Sequence, residues 1–205
     1  MRVISGTAKG RKLIAPSGMK TRPTGDRMKE DLFNILGSKV FNSSFLDLFC
    51  GSGSVGIEAL SRGASCSTFV DRSREAISAT KKNLCNTHME ENSVIFSGNA
   101  SDFLANVADK TYDIIFMDPP YENSLMVVPV LDHIKNGKLL ADDGIVIIEC
   151  PVDTELLAIV DSTDIKNLND LVAMADLSVI RKKKYSNMQF IFLKRSKDID
   201  GNISR

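Results

Sequence analysis

From Phe45 onward the chain alternates short apolar runs with stretches of helical spacing, and few folds accommodate that order. The strand-like runs are Phe45–Cys50, Ser67–Asp71, Ser93–Ser97, Ile114–Asp118 and Ile145–Cys150. Between them, residues 55–62, 74–86, 101–108 and 124–136 repeat apolar side chains at helical intervals. Runs this apolar belong to strands buried on both faces. The intervening helices supply the cover, so a parallel sheet is expected. The end of the chain breaks the pattern. Leu177–Tyr185 and Met188–Arg195 are extended runs separated by Ser186-Asn187, the signature of an antiparallel hairpin. Ahead of the sheet, Arg2–Ile4 and Arg11–Ile14 flank Gly6 and Gly10 and read as a small hairpin. Thr24-Gly25-Asp26 offers an N-cap to a helix carrying Met28, Leu32, Phe33 and Leu36, which Gly37 ends. The expected organisation is a basic N-terminal hairpin and helix over residues 1–40, an α/β domain over 41–196 and a tail over 197–205.

One strand run ends in unusual chemistry. Ile114–Met117 leads into Asp118-Pro119-Pro120-Tyr121. Ligands of open α/β sheets bind outside the carboxyl ends of the strands. A proline has no N–H and a fixed φ, so the backbone must leave the ladder there in a stiff turn. The turn presents a carboxylate, outward carbonyls and an aromatic ring. That set suits a planar group bearing an NH2, and a nucleobase is the natural candidate.

The first strand run leads into a glycine turn, Asp47-Leu48-Phe49-Cys50-Gly51-Ser52-Gly53-Ser54-Val55-Gly56. Gly51 and Gly53 let the backbone turn tightly beside a ligand, and Gly56 permits close helix–sheet approach. Asp71 ends the second strand, where a carboxylate can accept both hydroxyls of a ribose. Arg72 follows it. These features alone also fit a dinucleotide site. Asp47 separates the two readings: it places an acid inside the first strand, where dinucleotide folds usually carry an apolar residue. A carboxylate there suits the cationic amino-acid end of S-adenosylmethionine, directly or through water; the alternative is a hydrogen bond to the loop backbone. Asn99 and Ala100, in the turn after the third strand, can meet the edge of an adenine, while Ser101 is the alternative cap of the next helix.

Charge is balanced over the 205 residues but unevenly placed. Arg2, Lys9, Arg11, Lys12, Lys20 and Arg22 precede the first acid at Asp26, and Arg181–Lys184 form a second basic run. Such asymmetry points to a polyanionic partner met by the two ends. Cys50, Cys66, Cys85 and Cys150 form no CxxC pair and no ligand spacing with His88 or His133, so a metal centre is not expected. Reduced cysteines, no leader-like start and no apolar run of about 18 residues argue for a soluble cytoplasmic protein.

Asp-Leu-Phe-Cys-Gly-Ser-Gly, Asp71, Asn99-Ala100 and Asp118-Pro-Pro-Tyr121 together resemble a nucleic-acid amino-methyltransferase. Arg2-Val-Ile-Ser-Gly6, Lys9-Gly-Arg-Lys-Leu13 and Arg22-Pro-Thr-Gly-Asp-Arg27 resemble the start of the bacterial 16S rRNA (guanine-N2) methyltransferase RsmD family, and the likeness runs from Arg2 to about Arg195. Ser5, where another glycine is the rule, and Lys184-Tyr185-Ser186 depart from the family pattern away from the catalytic turn.

The resemblance implies a Rossmann-like class I methyltransferase fold: a mostly parallel seven-stranded sheet with an antiparallel C-terminal hairpin. It implies S-adenosyl-L-methionine as cofactor and 16S rRNA in the small ribosomal subunit as substrate; a monomer is the default expectation. The cofactor is expected on Asp47, Gly51, Ser52, Gly53, Asp71, Arg72, Asn99, Ala100 and Asp118. Asp118 and Pro119 are expected to hold the guanine amine, Pro120 to stiffen the turn and Tyr121 to stack on the base. Lys9, Arg11, Lys12, Arg22 and Arg27 are the expected nucleic-acid contacts; Asp26 and Arg27 alternatively brace the first helix. The rival readings are a DNA adenine-N6 methyltransferase, for which the chain has little room to read bases, a protein-glutamine methyltransferase, which favours Asn over Asp118, and an NAD-dependent oxidoreductase. A non-enzymatic RNA-binding module leaves the Asp118 turn unexplained.

Overall fold

The computed structural model describes residues 1–16, 25–107, 110–120, 126–137, 139–152 and 176–197. Arg22, Tyr121 and the tail from residue 198 lie outside the described residues. The chain divides into two compact units, Met1–Phe103 and Leu104–Arg205. Together they carry a seven-stranded sheet of order β3-β2-β1-β4-β5-β7-β6.

The first unit opens with the expected small hairpin. Arg2 and Lys12 form an antiparallel bridge, and the Val3 N–H donates to the Arg11 carbonyl at 3.0 Å. Helix α1, Asp26–Leu36, buries Leu32, Phe33 and Leu36. Its N-cap is Gly25, with no side-chain cap; Gly37 ends it with φ +56. Strands β1 (Ser44–Leu48), β2 (Cys66–Asp71) and β3 (Ser93–Ser97) pair in parallel. Helices α2 (Ser54–Ser61), α3 (Arg74–Thr87) and α4 (Ala100–Ala105) follow them. Cover on both faces holds for β1 and β2 but not for β3, where Val94 is 45% exposed. An outermost strand has only one neighbour to complete its cover. Ser101 lies inside α4 and is not its cap; the Phe103 N–H donates to the Asn99 carbonyl, so Asn99 starts the helix.

In the second unit β4 (Tyr112–Met117) pairs in parallel with β5 (Leu140–Pro151). The hairpin β6 (Leu177–Lys184) and β7 (Met188–Arg195) adds antiparallel pairs, β7 lying against β5. Helix α5, Val128–Asn136, lies between β4 and β5 in sequence. β5 begins five residues before the apolar run that marks it. Leu140 pairs with Tyr112, the register then shifts, and Asp142-Asp143-Gly144 occupies the irregularity before Ile145 pairs with Ile114. Lys197 and Lys194 meet the two exposed carboxylates at 3.1 and 3.3 Å.

Candidate active site

Three turns at the carboxyl ends of β1, β2 and β3 lie side by side, because the ladders continue one step past the strands. The Cys50 N–H donates to the Val70 carbonyl, and the Gly98 N–H to the Asp71 carbonyl, both at 3.0 Å. Gly51 and Gly53 adopt φ +55 and +72, the left-handed region where a side chain is costly. Their surroundings differ. A Cβ on Gly53 would stand 2.9 Å from the Thr80 methyl, so Gly53 packs against α3. A Cβ on Gly51 would meet no atom within 4 Å. The open side of the turn is therefore at Gly51, which leaves its backbone accessible to a ligand. Gly56 serves packing: a Cβ there would fall 2.4 Å from the Phe69 ring.

The two acids hold this cradle in shape. Asp71 accepts the Gly51 N–H through Oδ2 at 2.9 Å and the Ser73 N–H through Oδ1 at 2.8 Å. One carboxylate thus fixes the glycine turn and the entry to α3, and it stays half-buried with lone pairs remaining for ribose hydroxyls. Asp47 is 2% exposed and accepts the Gly56 N–H at 2.9 Å. That bond braces the start of α2 against β1. Ser52 and Ala100 are buried; Arg72 and Asn99 are exposed, and the Asn99 amide donates to Asp102 at 3.2 Å.

The Asp118 turn ends β4 in the second unit. Met117, the last β4 residue, is wholly buried and pairs with Ile148. β5 runs on to Pro151 against β7, whereas β4 stops. The chain thus leaves the sheet at Asp118-Pro119-Pro120, as two consecutive prolines demand. Pro119 is buried and Pro120 exposed. Asp118 is half-buried, and desolvation by the surrounding turn pushes its pKa up to about 7. A raised carboxylate pKa in a strand-end turn is a mark of a working group. Neither buried thiol competes for that role: burial pushes Cys150 up to about 11 and Cys50 well above the ordinary range, so both sit protonated in the core.

The N-terminal cations sit on exposed surface at Lys9, Arg11, Lys12 and Arg27. Arg11 donates to the Asn86 carbonyl at 2.7 Å. Asp26, the first residue of α1, pairs with Arg2 of the hairpin at 3.3 Å. A cavity of about 480 Å³ lies at the opposite, amino ends of the strands, lined among others by Thr7, Asn42, Gly63 and Asn92. The cradle, not that cavity, holds the strand-end acids and the open glycine turn expected of a ligand site. Sequence reasoning missed Thr80, Asn83 and Glu58. Each is a polar side chain buried at an apolar position of its helix, and that mismatch was the available signal. Among the described residues, no His/Cys/Asp/Glu group could hold a metal, and no helix is long and apolar enough to cross a membrane.

A seven-stranded sheet of this order, with a glycine turn after β1, an acid ending β2 and Asp-Pro-Pro ending β4, defines a class I methyltransferase. The family model described as Conserved hypothetical protein 95 matches residues 1–194, and the chain belongs to that family, the RsmD family of methyltransferases. YlbH of Bacillus subtilis (strain 168) is 40% identical over 158 residues, which cover 76% of this chain and 85% of that one. Ribosomal RNA small subunit methyltransferase D of Escherichia coli (strain K12) is 35% identical over 156 residues, covering 76% and 77%. Among solved structures, yhhF from Escherichia coli matches at 31% identity with a TM-score of 0.76, covering 95% of this chain and 97% of that one. SMU.776, crystallised with SAH, matches at 16% identity and a TM-score of 0.62, covering 82% and 48%, a likeness of fold.

Proposed function

We infer that this chain transfers a methyl group from S-adenosyl-L-methionine to the exocyclic N2 amine of a guanine in small-subunit ribosomal RNA. The observation that carries the reading is the Asp118 turn: a half-buried acid of raised pKa and two prolines ending a parallel strand, in a chain whose relatives include named small-subunit rRNA methyltransferases. The cofactor supplies an electrophilic methyl group on a sulfonium. The residues fit it: an open left-handed turn at Gly51, with Ser52 and Gly53, and Asp71 with lone pairs to offer. Arg72, Asn99 and Ala100 complete the edge of the cradle, and Asp47 holds it from beneath.

A guanine amine is a weak nucleophile because its lone pair is delocalised into the ring. Asp118 and the Pro119 carbonyl accept its two N–H bonds, which favours a pyramidal nitrogen aimed at the methyl. The gain is chiefly orientation, and Asp118 then takes the released proton. Pro120 keeps the turn stiff and Tyr121 stacks on the base. Lys9, Arg11, Lys12, Arg22 and Arg27 meet RNA phosphates. A paired target base must first be turned out of its helix.

Methyl transfer from labelled S-adenosyl-L-methionine to naked small-subunit rRNA, to subunits lacking the modification and to duplex DNA tests the reading. Label recovered as N2-methylguanosine in subunits or rRNA is the expected result. Label in DNA adenine alone overturns the substrate.

The acid sets a pH profile. Below about 7 Asp118 is protonated and loses its role as acceptor. The kcat/KM for RNA is expected to fall about tenfold per pH unit below that value and to level off above it. Asp118→Asn keeps a carbonyl acceptor but does not titrate, so its smaller rate should be flat with pH. A flat wild-type profile would remove Asp118 from proton transfer. The stability effect has the opposite sign. The folded-state pKa lies above the roughly 3.9 of a free Asp, so Asp118 lowers stability as pH rises from about 4 to about 7.

A further inference from the structure

The side chain of Asn83, on the inner face of α3, is fully buried. Its amide faces two ways. Nδ2 donates at 2.9 Å to the Ser52 carbonyl in the glycine turn and at 2.9 Å to the Ile14 carbonyl of the N-terminal segment. Oδ1 accepts the Ile14 N–H at 2.7 Å. Its neighbours on α3 each take one side. Thr80 donates to the Gly51 carbonyl at 3.0 Å, and Asn86 donates to the Lys12 carbonyl at 2.9 Å. Asn83 touches both. It grips Ile14 through both backbone groups, as a neighbouring strand would, and holds the glycine turn with the same amide.

We propose that Asn83 is a positioning residue that ties the pose of the basic N-terminal segment to the conformation of the glycine turn, so that cofactor and RNA bind cooperatively. The proposal rests on the reading above, with cofactor on the turn and RNA on the segment. The turn has left-handed glycines at positions 51 and 53 on either side of Ser52, so the Ser52 peptide is the part a bound ligand would steady. Steadying its carbonyl orients the Asn83 amide, because Nδ2 must keep that acceptor in a buried site where an unmade hydrogen bond is costly. The oriented amide then fixes the Ile14 N–H and carbonyl, and with them the end of the hairpin that carries Lys9, Arg11 and Lys12. Order imposed by the first ligand is not required again of the second, which gives positive coupling without a large movement. Thermodynamic linkage makes the effect reciprocal.

A purely structural amide behaves differently. Its loss lowers the melting temperature and can weaken both ligands, yet the ratio of affinities with and without the other ligand stays as it was. That ratio is the readout. The Kd of S-adenosylhomocysteine is measured with and without small subunits lacking the modification, and the Kd of the subunits with and without S-adenosylhomocysteine. The wild-type chain should show one common factor of about five or more. Asn83→Ala should bring it to near one in both directions. Ile14→Pro, at a side chain 53% exposed, removes the N–H that Asn83 accepts and serves where Asn83→Ala does not fold. A wild-type factor of one, or a folded variant that keeps the wild-type factor, overturns the proposal. Labelled methyl transfer in the same samples separates the two levels. Absence of label and of subunit binding in the wild-type chain overturns the functional reading and this proposal together. Labelled wild-type subunits with an unchanged factor in the variants overturn the role of Asn83 alone.

Discussion

Asp118→Ala is expected to lower methyl transfer to small subunits by roughly 10²–10⁴-fold, the range of a lost acid–base group, while S-adenosylhomocysteine binds within a few-fold of wild type. The reason is the division of labour between the two strand-end turns. The cradle at Gly51, Asp71 and Ala100 is built by hydrogen bonds among β1, β2 and β3 residues. Asp118 is a partner in none of those hydrogen bonds. Alanine at position 118 removes the acceptor that orients the amine and the base that takes its proton. Folding should not suffer. The substitution deletes a carboxyl group that burial already disfavours in its charged form, so at neutral pH the variant should melt at or slightly above the wild-type temperature. Isothermal titration with S-adenosylhomocysteine and single-turnover transfer measured on one preparation decide the matter. Equal loss of cofactor binding and transfer would mean that Asp118 serves the cofactor and not the amine.

The strands were legible where apolar periodicity was uninterrupted. Ser93–Ser97 and Met188–Arg195 match the sequence runs to the residue. β5 was not, because Asp142-Asp143-Gly144 reads as a turn by composition but is carried through the sheet by a register shift. The site divides in the same way. Glycines, prolines and strand-end acids act through their own backbone geometry, so Gly51, Gly53, Asp71 and the Asp118 turn could be found from local sequence. Asn83 acts through partners 31 and 69 residues away, and Glu58 chiefly through partners 29 to 54 residues away. No local pattern encodes such a partner; the sequence shows only a polar residue where a helix should be apolar. Asp47 illustrates the intermediate case. An acid beside the glycines stands out in the sequence, whereas its partner, the Gly56 N–H, needed the fold.

Glu58 should be the costliest of these to remove. It is fully buried in α2, a helix with no exposed residue, yet its carboxylate is crowded with donors. Oε1 accepts from Arg62 Nε at 2.8 Å and from the Ser5 N–H at 2.9 Å; Oε2 accepts from the Ile4 N–H at 2.8 Å and lies 3.4 Å from Lys29 Nζ. Lys29 is itself fully buried and also donates to the Arg2 carbonyl at 2.7 Å. Burial lowers the Lys29 pKa, and Glu58 opposes that shift. Glu58→Ala therefore orphans a buried ammonium and two backbone N–H groups at once. Removing one partner of a buried pair costs about 3–5 kcal/mol. For a chain of this size that lowers the melting temperature by roughly 10 °C. Glu58→Gln retains one carbonyl acceptor and should cost less. Adding Lys29→Met to it removes the orphaned ammonium and should recover part of the loss, since a buried pair replaced as a whole is often close to neutral. Urea unfolding of the three variants reads this order directly. A Glu58→Ala chain as stable as wild type would mean that water reaches the pair, and that burial of Val3 and Ala8, rather than this carboxylate, holds the N-terminal hairpin in place.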